Sequence, residues 1–300
     1  MKQPTHSHFF AGASGNRIAA DVGGHENAPA VVLLHGGGQT RHSWGQAQLD
    51  LIEAGYHVVS MDARGHGESD WVGEDEYSLE HQVDDLRAVV AALGKRPALV
   101  GASMGGVVSL VACGANADLA SALVLVDVAP RLEHDGVAKI RSFMHANLDG
   151  FATLEEASEA VAAYNPTRPR PPTPAGLRKN LRQRDDGRWY WHWDPKMFAG
   201  KRHAPLAHMQ ERMLDAADRV RIPALLVRGK QSDVVSPAAV NELREWMSHL
   251  EYVDIEGAGH MIAGDRNDAF NSAILGFLSR HVPAGIPAAG IHPPLSSSRS

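Results

Sequence analysis

Short runs of Val, Leu and Ile alternate along this chain with longer amphipathic segments, and few architectures accommodate that rhythm. Ala30 to Leu34, His57 to Met61, Ala98 to Val100, Ala122 to Val126 and Ala224 to Val227 are too short for helices and too uniformly apolar for half-buried strands. Each reads as a strand covered on both faces, the signature of a parallel sheet whose crossovers are helices. Arg41 to Ala54, Leu79 to Leu93 and Met104 to Cys113 supply the helical pattern, with Gly55, Gly94 and Gly114 where C-terminal caps belong. Weaker strands near His8 to Ala13 and Arg17 to Val22, joined through Ser14-Gly15-Asn16, predict an antiparallel hairpin at the leading edge, and Leu250 to Ile255 a last strand.

The rhythm breaks at Arg131. From there to Arg219 helical stretches follow one another without apolar strands, interrupted by Pro166, Pro169, Pro171, Pro172 and Pro174. The expected organisation is an α/β core from residues 1–130 and 220–282, with 131–219 inserted as a mostly helical cap over the carboxyl ends of the strands, where such sheets bind ligands. After His281 the chain loses periodicity and gathers helix breakers, so 283–300 reads as a disordered tail.

Composition narrows the class. A net charge of −6 disfavours a nucleic-acid surface. No apolar run approaches the roughly 18 residues of a membrane span, and the first residues, Met1-Lys2-Gln3-Pro4, lack the apolar stretch of a secretory signal, so a cytoplasmic protein without membrane partners is expected. The single cysteine, Cys113, reads as a small core residue. Arg168, Arg170, Arg178, Lys179, Arg182 and Arg184 fall in one stretch and read as a solvated face of the insert rather than an anion site.

The chemistry lies at the strand ends. Gly101-Ala102-Ser103-Met104-Gly105-Gly106 sits between an expected strand and an expected helix. A sharp turn there would hold Ser103 in a strained conformation, tolerated only because its neighbours two residues away on either side are glycines, and would expose its hydroxyl above the sheet. Leu33-Leu34-His35-Gly36-Gly37-Gly38 ends an earlier strand, and Met61-Asp62-Ala63-Arg64-Gly65-His66-Gly67-Glu68-Ser69 follows the next. With the elbow between strand and helix, these motifs resemble the α/β-hydrolase superfamily over nearly the whole chain, from about His8 to Arg280.

That resemblance implies an α/β fold of the α/β-hydrolase type, with a mostly parallel central sheet, helices on both faces and an inserted helical cap. It implies Ser103 as nucleophile and His260, in Gly257-Ala258-Gly259-His260, as base. The orienting acid is assigned to Asp233, in Arg228-Gly229-Lys230-Gln231-Ser232-Asp233, with Asp127 as the rival because some members place the acid after the preceding strand. The Gly37 and Met104 amides are the oxyanion donors, and His35 and His66 loop supports. No metal and no cofactor is implied.

Serine at the elbow discriminates within the superfamily. A serine attacking an epoxide or haloalkane would form an ether that water cannot cleave at a carbonyl, so esters, lactones and thioesters lead. A carbon–carbon hydrolase or perhydrolase using the same triad, and a small-molecule receptor that does not turn over, stay open as alternatives. Trp189-Tyr190-Trp191-His192-Trp193 either lines an apolar or aromatic substrate pocket through Trp189, Trp191 and Trp193, beside Gly38, or packs cap against core.

Overall fold

The computed structural model describes residues 5–166, 173–199, 206–260 and 268–284. The proline-rich stretch at 167–172, with Arg168 and Arg170, and the tail beyond 284 lie outside the described residues.

Eight strands form one sheet: β1 (His6–Ala11), β2 (Arg17–Gly23), β3 (Ala30–Leu34), β4 (His57–Met61), β5 (Ala98–Ala102), β6 (Ala122–Val126), β9 (Ala224–Gly229) and β10 (Glu251–Ile255). Their order is β1-β2-β4-β3-β5-β6-β9-β10, with the β1–β2 and β2–β4 pairings antiparallel and the other five parallel. The five apolar runs are buried at every residue. Side chains alternate between the two faces of a strand. Val32, Leu34 and Leu99 therefore join one core, while Val31, Leu33 and Val100 join the other.

The first core lies under α2 (Leu79–Leu93), α3 (Met104–Ala115), α7 (Leu206–Ala217) and α8 (Pro237–Trp246); the second under α1 (Gly45–Glu53) and α9 (Asp268–His281). Ser78 caps α2 by accepting from the His81 amide, and Gly94 ends it at φ 63°. The expected helix over Arg41 to Ala54 divides into a 3-10 turn at Arg41–Trp44 followed by α1. α3 does not stop before Gly114 but runs through it to Ala115.

Between β6 and β9 come α4 (His134–His145), α5 (Leu154–Tyr164), a 3-10 segment at Pro174–Asn180, α6 (Lys196–Ala199) and α7. A short antiparallel hairpin, β7 (Leu181–Gln183) with β8 (Trp189–Trp191), interrupts the helices. α7 lies against the core rather than over it: Met213, Ala216 and Ala217 are buried in the α2/α3 cluster. The remaining insert elements gather a further apolar cluster around Phe151, Leu181, Trp191 and Trp193, which Tyr77 of the core joins. Among the described residues no helix is long and apolar enough to cross a membrane.

Candidate active site

β5, β6 and β9 end side by side, and backbone bonds carry this alignment into the loops: the Ser103 amide donates to Val126 O (3.0 Å) and the Asp127 amide to Val227 O (2.8 Å). Both residues adopt positive φ, 46° at Ser103 and 47° at Asp127. Aspartate tolerates that region; serine at ψ −113° lies outside its usual well and carries strain of roughly 1–3 kcal/mol. The strain is held by a close crossing of strand and helix. A Cβ on Gly101 would sit 2.4 Å from Gly105 O, and one on Gly105 2.4 Å from Leu34 O, so only glycine fits either place.

The loop after β10 brings His260 across the strand ends. Its Nε2 stands 3.2 Å from Ser103 Oγ, and its Nδ1 is 2.6 Å from Asp127 Oδ2. A carboxylate only accepts, so Nδ1 carries the proton and Nε2 is left to accept from the serine hydroxyl. Asp127, 1% exposed, receives two further donors, the Gly229 amide on Oδ1 (3.0 Å) and the Ser232 hydroxyl on Oδ2 (2.6 Å). Ser232 Oγ in turn accepts from the Val234 and Val235 amides.

The expected acid, Asp233, does not reach His260. Its side chain is half exposed and pairs with Lys139 of α4 at 3.2 Å. The loop after β9 sends Ser232 inward to Asp127 and leaves the next residue facing out toward the insert.

Ser103, Met104, Gly37 and His260 share a cavity of about 550 Å³, whose lining mixes aliphatic side chains such as Val107, Leu132, Val137, Ile140 and Val234 with charged ones such as Glu80, Arg141, Lys196 and Arg212. Among the described residues no group of three or more His, Cys, Asp or Glu side chains is arranged to hold a metal ion.

Residues 29–266 match the family model for the alpha/beta hydrolase fold. The chain belongs to that family. An esterase of Mycobacterium tuberculosis is 29% identical over 264 residues, covering 84% of this chain and 83% of its own, and its solved structure superposes with a TM-score of 0.75 at 26% identity, covering 93% of both chains. A 3-hydroxybutyrate-oligomer hydrolase of Cupriavidus necator is 25% identical over 245 residues, 78% of this chain and 83% of the relative. An alpha/beta hydrolase of Novosphingobium aromaticivorans, 23% identical, shares the fold at a TM-score of 0.79 over 93% of this chain and 99% of its own.

In this alpha/beta hydrolase Gly37 and Met104 both line the cavity, and neither amide donates to a protein acceptor among the described residues. Gly38 does not line the cavity: its amide donates to His66 Nε2 (3.2 Å) and its carbonyl accepts from His192 Nε2 (3.2 Å). His35 and His66 act as loop supports. The Ala63 amide donates to His35 Nε2, and His66 Nδ1 donates to Arg64 O.

The indoles are likewise not cavity walls. Trp191 and Trp193 stack at 4.8 Å and 11°, both buried in a cluster that the insert shares with Tyr77, and Trp189 lies under the Arg178 guanidinium at 5.1 Å. Pairing of β8 with β7 sets Trp191 opposite Leu181, and Tyr77 of the core joins the same cluster while Trp193 lies against Gly38, so the indoles pack insert against core. Arg184 covers the Tyr190 ring at 3.8 Å and Arg182 covers Trp71 at 5.2 Å, so these cations of the basic stretch rest on aromatic faces outside the cavity. Ser232 and His192 had no assigned role in the sequence. The one signal available was their neighbourhood, beside a candidate acid and inside an aromatic cluster.

Proposed function

We propose that the chain is a serine hydrolase of carboxylic esters or the related lactones and thioesters, working through an acyl-enzyme on Ser103. The observation that carries this is the line from Ser103 Oγ through His260 to Asp127, with contacts of 3.2 and 2.6 Å, opening on a cavity. Serine is a weak nucleophile unless a base takes its proton as it attacks, and the base serves only in the tautomer that leaves Nε2 free.

In the first half-reaction Ser103 Oγ bonds to the carbonyl carbon and its proton passes to His260 Nε2. The carbonyl electron pair moves to oxygen, and the amides of Gly37 and Met104 donate to that oxyanion. Collapse breaks the bond to the leaving oxygen or sulfur, which takes the proton from His260. Water then attacks the acyl-enzyme by the same route, returning the proton to Ser103. Asp127 stays ionised throughout and stabilises the imidazolium.

The aliphatic part of the lining, Val107, Val128, Leu132 and Ile140 among it, supports an apolar group on the substrate, and the esterase among the relatives supports an ester over a carbon–carbon bond. The test is turnover of a short p-nitrophenyl ester with Ser103→Ala alongside. The expected result is measurable cleavage, lost by roughly 10⁴-fold or more in the variant, with a fluorophosphonate labelling Ser103 alone. Ligand binding without turnover, or full activity in Ser103→Ala, would overturn the proposal.

A further inference from the structure

Three buried histidines stand in a column beneath the loop that carries Gly37. His35 and His66 have ring centroids 5.0 Å apart, and His66 and His192 5.8 Å. The first two come from the core; His192 comes from the insert, just beyond β8, and is 1% exposed. Each ring accepts one backbone N–H and faces one backbone carbonyl: His35 takes Ala63 N and faces Gly36 O, His66 takes Gly38 N and faces Arg64 O, and His192 takes Gly67 N at 2.8 Å and faces Gly38 O. A nitrogen that accepts an N–H is unprotonated, so all three tautomers are determined and all three rings are neutral. Burial also pushes their pKa values down, that of His192 to about 3.

The column grips three successive peptides: His35 holds Gly36 O, which shares its peptide with the Gly37 N–H, His66 takes the Gly38 amide of the next, and His192 holds Gly38 O in the one after. On one side of Gly37, the Gly36 amide donates to Gln39 Oε1, and the Gly36 carbonyl accepts from His35 and the Gln39 amide. On the other side, the Gly38 amide and carbonyl are taken by His66 and His192. The flanking groups are tied, while Gly37 lines the cavity and its amide donates to no protein acceptor among the described residues. His192 is itself held by its neighbours: its amide donates to Asn180 O, the Asp194 amide donates to Gly65 O, and Trp193 meets its ring edge-on at 5.3 Å.

We infer that His192 is a positioning residue for the oxyanion hole: from the insert, its Nε2–H holds Gly38 O and so aims the Gly37 amide at the developing negative charge. The inference rests on the hydrolase reading above. Preorganised donors matter because the charge develops only in the transition state; loosening one of them lowers kcat while leaving ground-state binding nearly untouched.

Two amide substitutions separate the two bonds of the ring. In His192→Gln the side-chain nitrogen can reach the place of Nε2 and keep the Gly38 contact. In His192→Asn the side-chain oxygen takes the place of Nδ1 and keeps only the Gly67 contact. The expected result with a p-nitrophenyl ester is a kcat loss of roughly 10- to 100-fold in His192→Asn with KM unchanged, less than the 10²- to 10³-fold of deleting a donor outright. His192→Gln should recover most of that loss.

Equal losses in both variants, or a fall confined to KM, would overturn the inference and reduce His192 to packing. A measurement on the wild-type chain covers the case of a variant that fails to fold: the His192 Nε2 resonance in ¹⁵N spectra should shift when an alkyl boronate occupies Ser103. An unmoved resonance overturns the inference. Absence of wild-type turnover and of boronate binding would count against the hydrolase reading itself, so the two failures are distinguishable.

Discussion

Asp127 Oδ2 lies 2.6 Å from His260 Nδ1 and 2.6 Å from Ser232 Oγ, so one carboxylate oxygen serves both the ring and the hydroxyl that steadies it. The acid is thus held from two strands at once, its backbone at the end of β6 and its donors in the loop after β9. Asp127→Asn can present an amide N–H toward the ring and favour the wrong tautomer. It is expected to lower kcat by roughly 10⁴-fold, while Asp233→Asn, which alters only a half-exposed ion pair with Lys139, stays within a few-fold of wild type. Steady-state rates of the two variants on one ester check this; the opposite ranking would move the acid back to Asp233.

Ser232→Ala tests the same relationship more gently. It removes one of the donors to Asp127 and leaves the Val234 and Val235 amides without their hydroxyl acceptor. Losing a hydrogen bond to a charged group costs about 1.5–3 kcal/mol, so a kcat loss on the order of 10- to 100-fold is expected, partly recovered by Ser232→Thr. Unchanged rates in Ser232→Ala would show that the carboxylate needs no second anchor.

Much of this could be read along the chain. β3, β4, β5, β6 and β9 declared themselves because burial on both faces favours Val, Leu and Ile, with His57, Ser60 and Arg228 as the buried polar exceptions, and the elbow because only glycine survives a 2.4 Å approach at Gly101 and Gly105. The acid could not be read so. Asp127 and Asp233 each follow a strand at the same edge of the sheet, and the difference lies in which loop side chain turns inward, Ser232 rather than Asp233. Lys139, which holds Asp233 outside, belongs to α4 and meets it only in three dimensions. The tryptophans were ambiguous for a related reason: aromatic alternation suits a pocket wall or a packed contact between insert and core, and the cluster that Trp191 and Trp193 share with Tyr77 is the packed contact.

The histidine column makes stability fall with acid. His35, His66 and His192 are held below the ordinary value of 6.5, chiefly by burial. As pH drops through 6.5 the unfolded chain takes up protons that the folded rings refuse, so stability is fullest above that point and declines below it, the His192 share continuing to about pH 3. Each ring contributes up to about 1.4 kcal/mol per pH unit. Urea midpoints between pH 7 and pH 5 should therefore fall steeply, and the slope should be shallower in His192→Gln; a flat profile would mean the rings protonate in place.

Arg64 and Asp85 form a second buried device. They meet through two bonds of 2.7 and 2.8 Å at 1% and 2% exposure, and Asp85 also accepts from the Ala13 amide and from Asn16, tying the β1–β2 turn to α2. Asp85→Ala leaves a buried guanidinium uncompensated and is expected to cost about 3–5 kcal/mol. The double variant Arg64→Met/Asp85→Leu should cost less than that single change. Urea denaturation of both measures the difference, and a double variant less stable than Asp85→Ala would show that the pair contributes net stability.

Gly114 is where α3 passes close to α7. Read along the chain it is a C-terminal cap, but α3 runs on to Ala115, and a Cβ at 114 would lie 2.5 Å from Ala216 Cα and 2.8 Å from Ala216 O on α7. In a free helix interior, alanine for glycine gains roughly 0.5–1 kcal/mol. Here the added methyl must push two backbones apart, and overpacking of this kind costs about 1–3 kcal/mol. Gly114→Ala is thus expected to lower the urea midpoint, against the propensity scale. Ala216→Gly in the same chain should restore only part of the loss, because the Cα and carbonyl of residue 216 remain in the way; full restoration would mean that the two methyl groups alone, and not the helix spacing, set the contact.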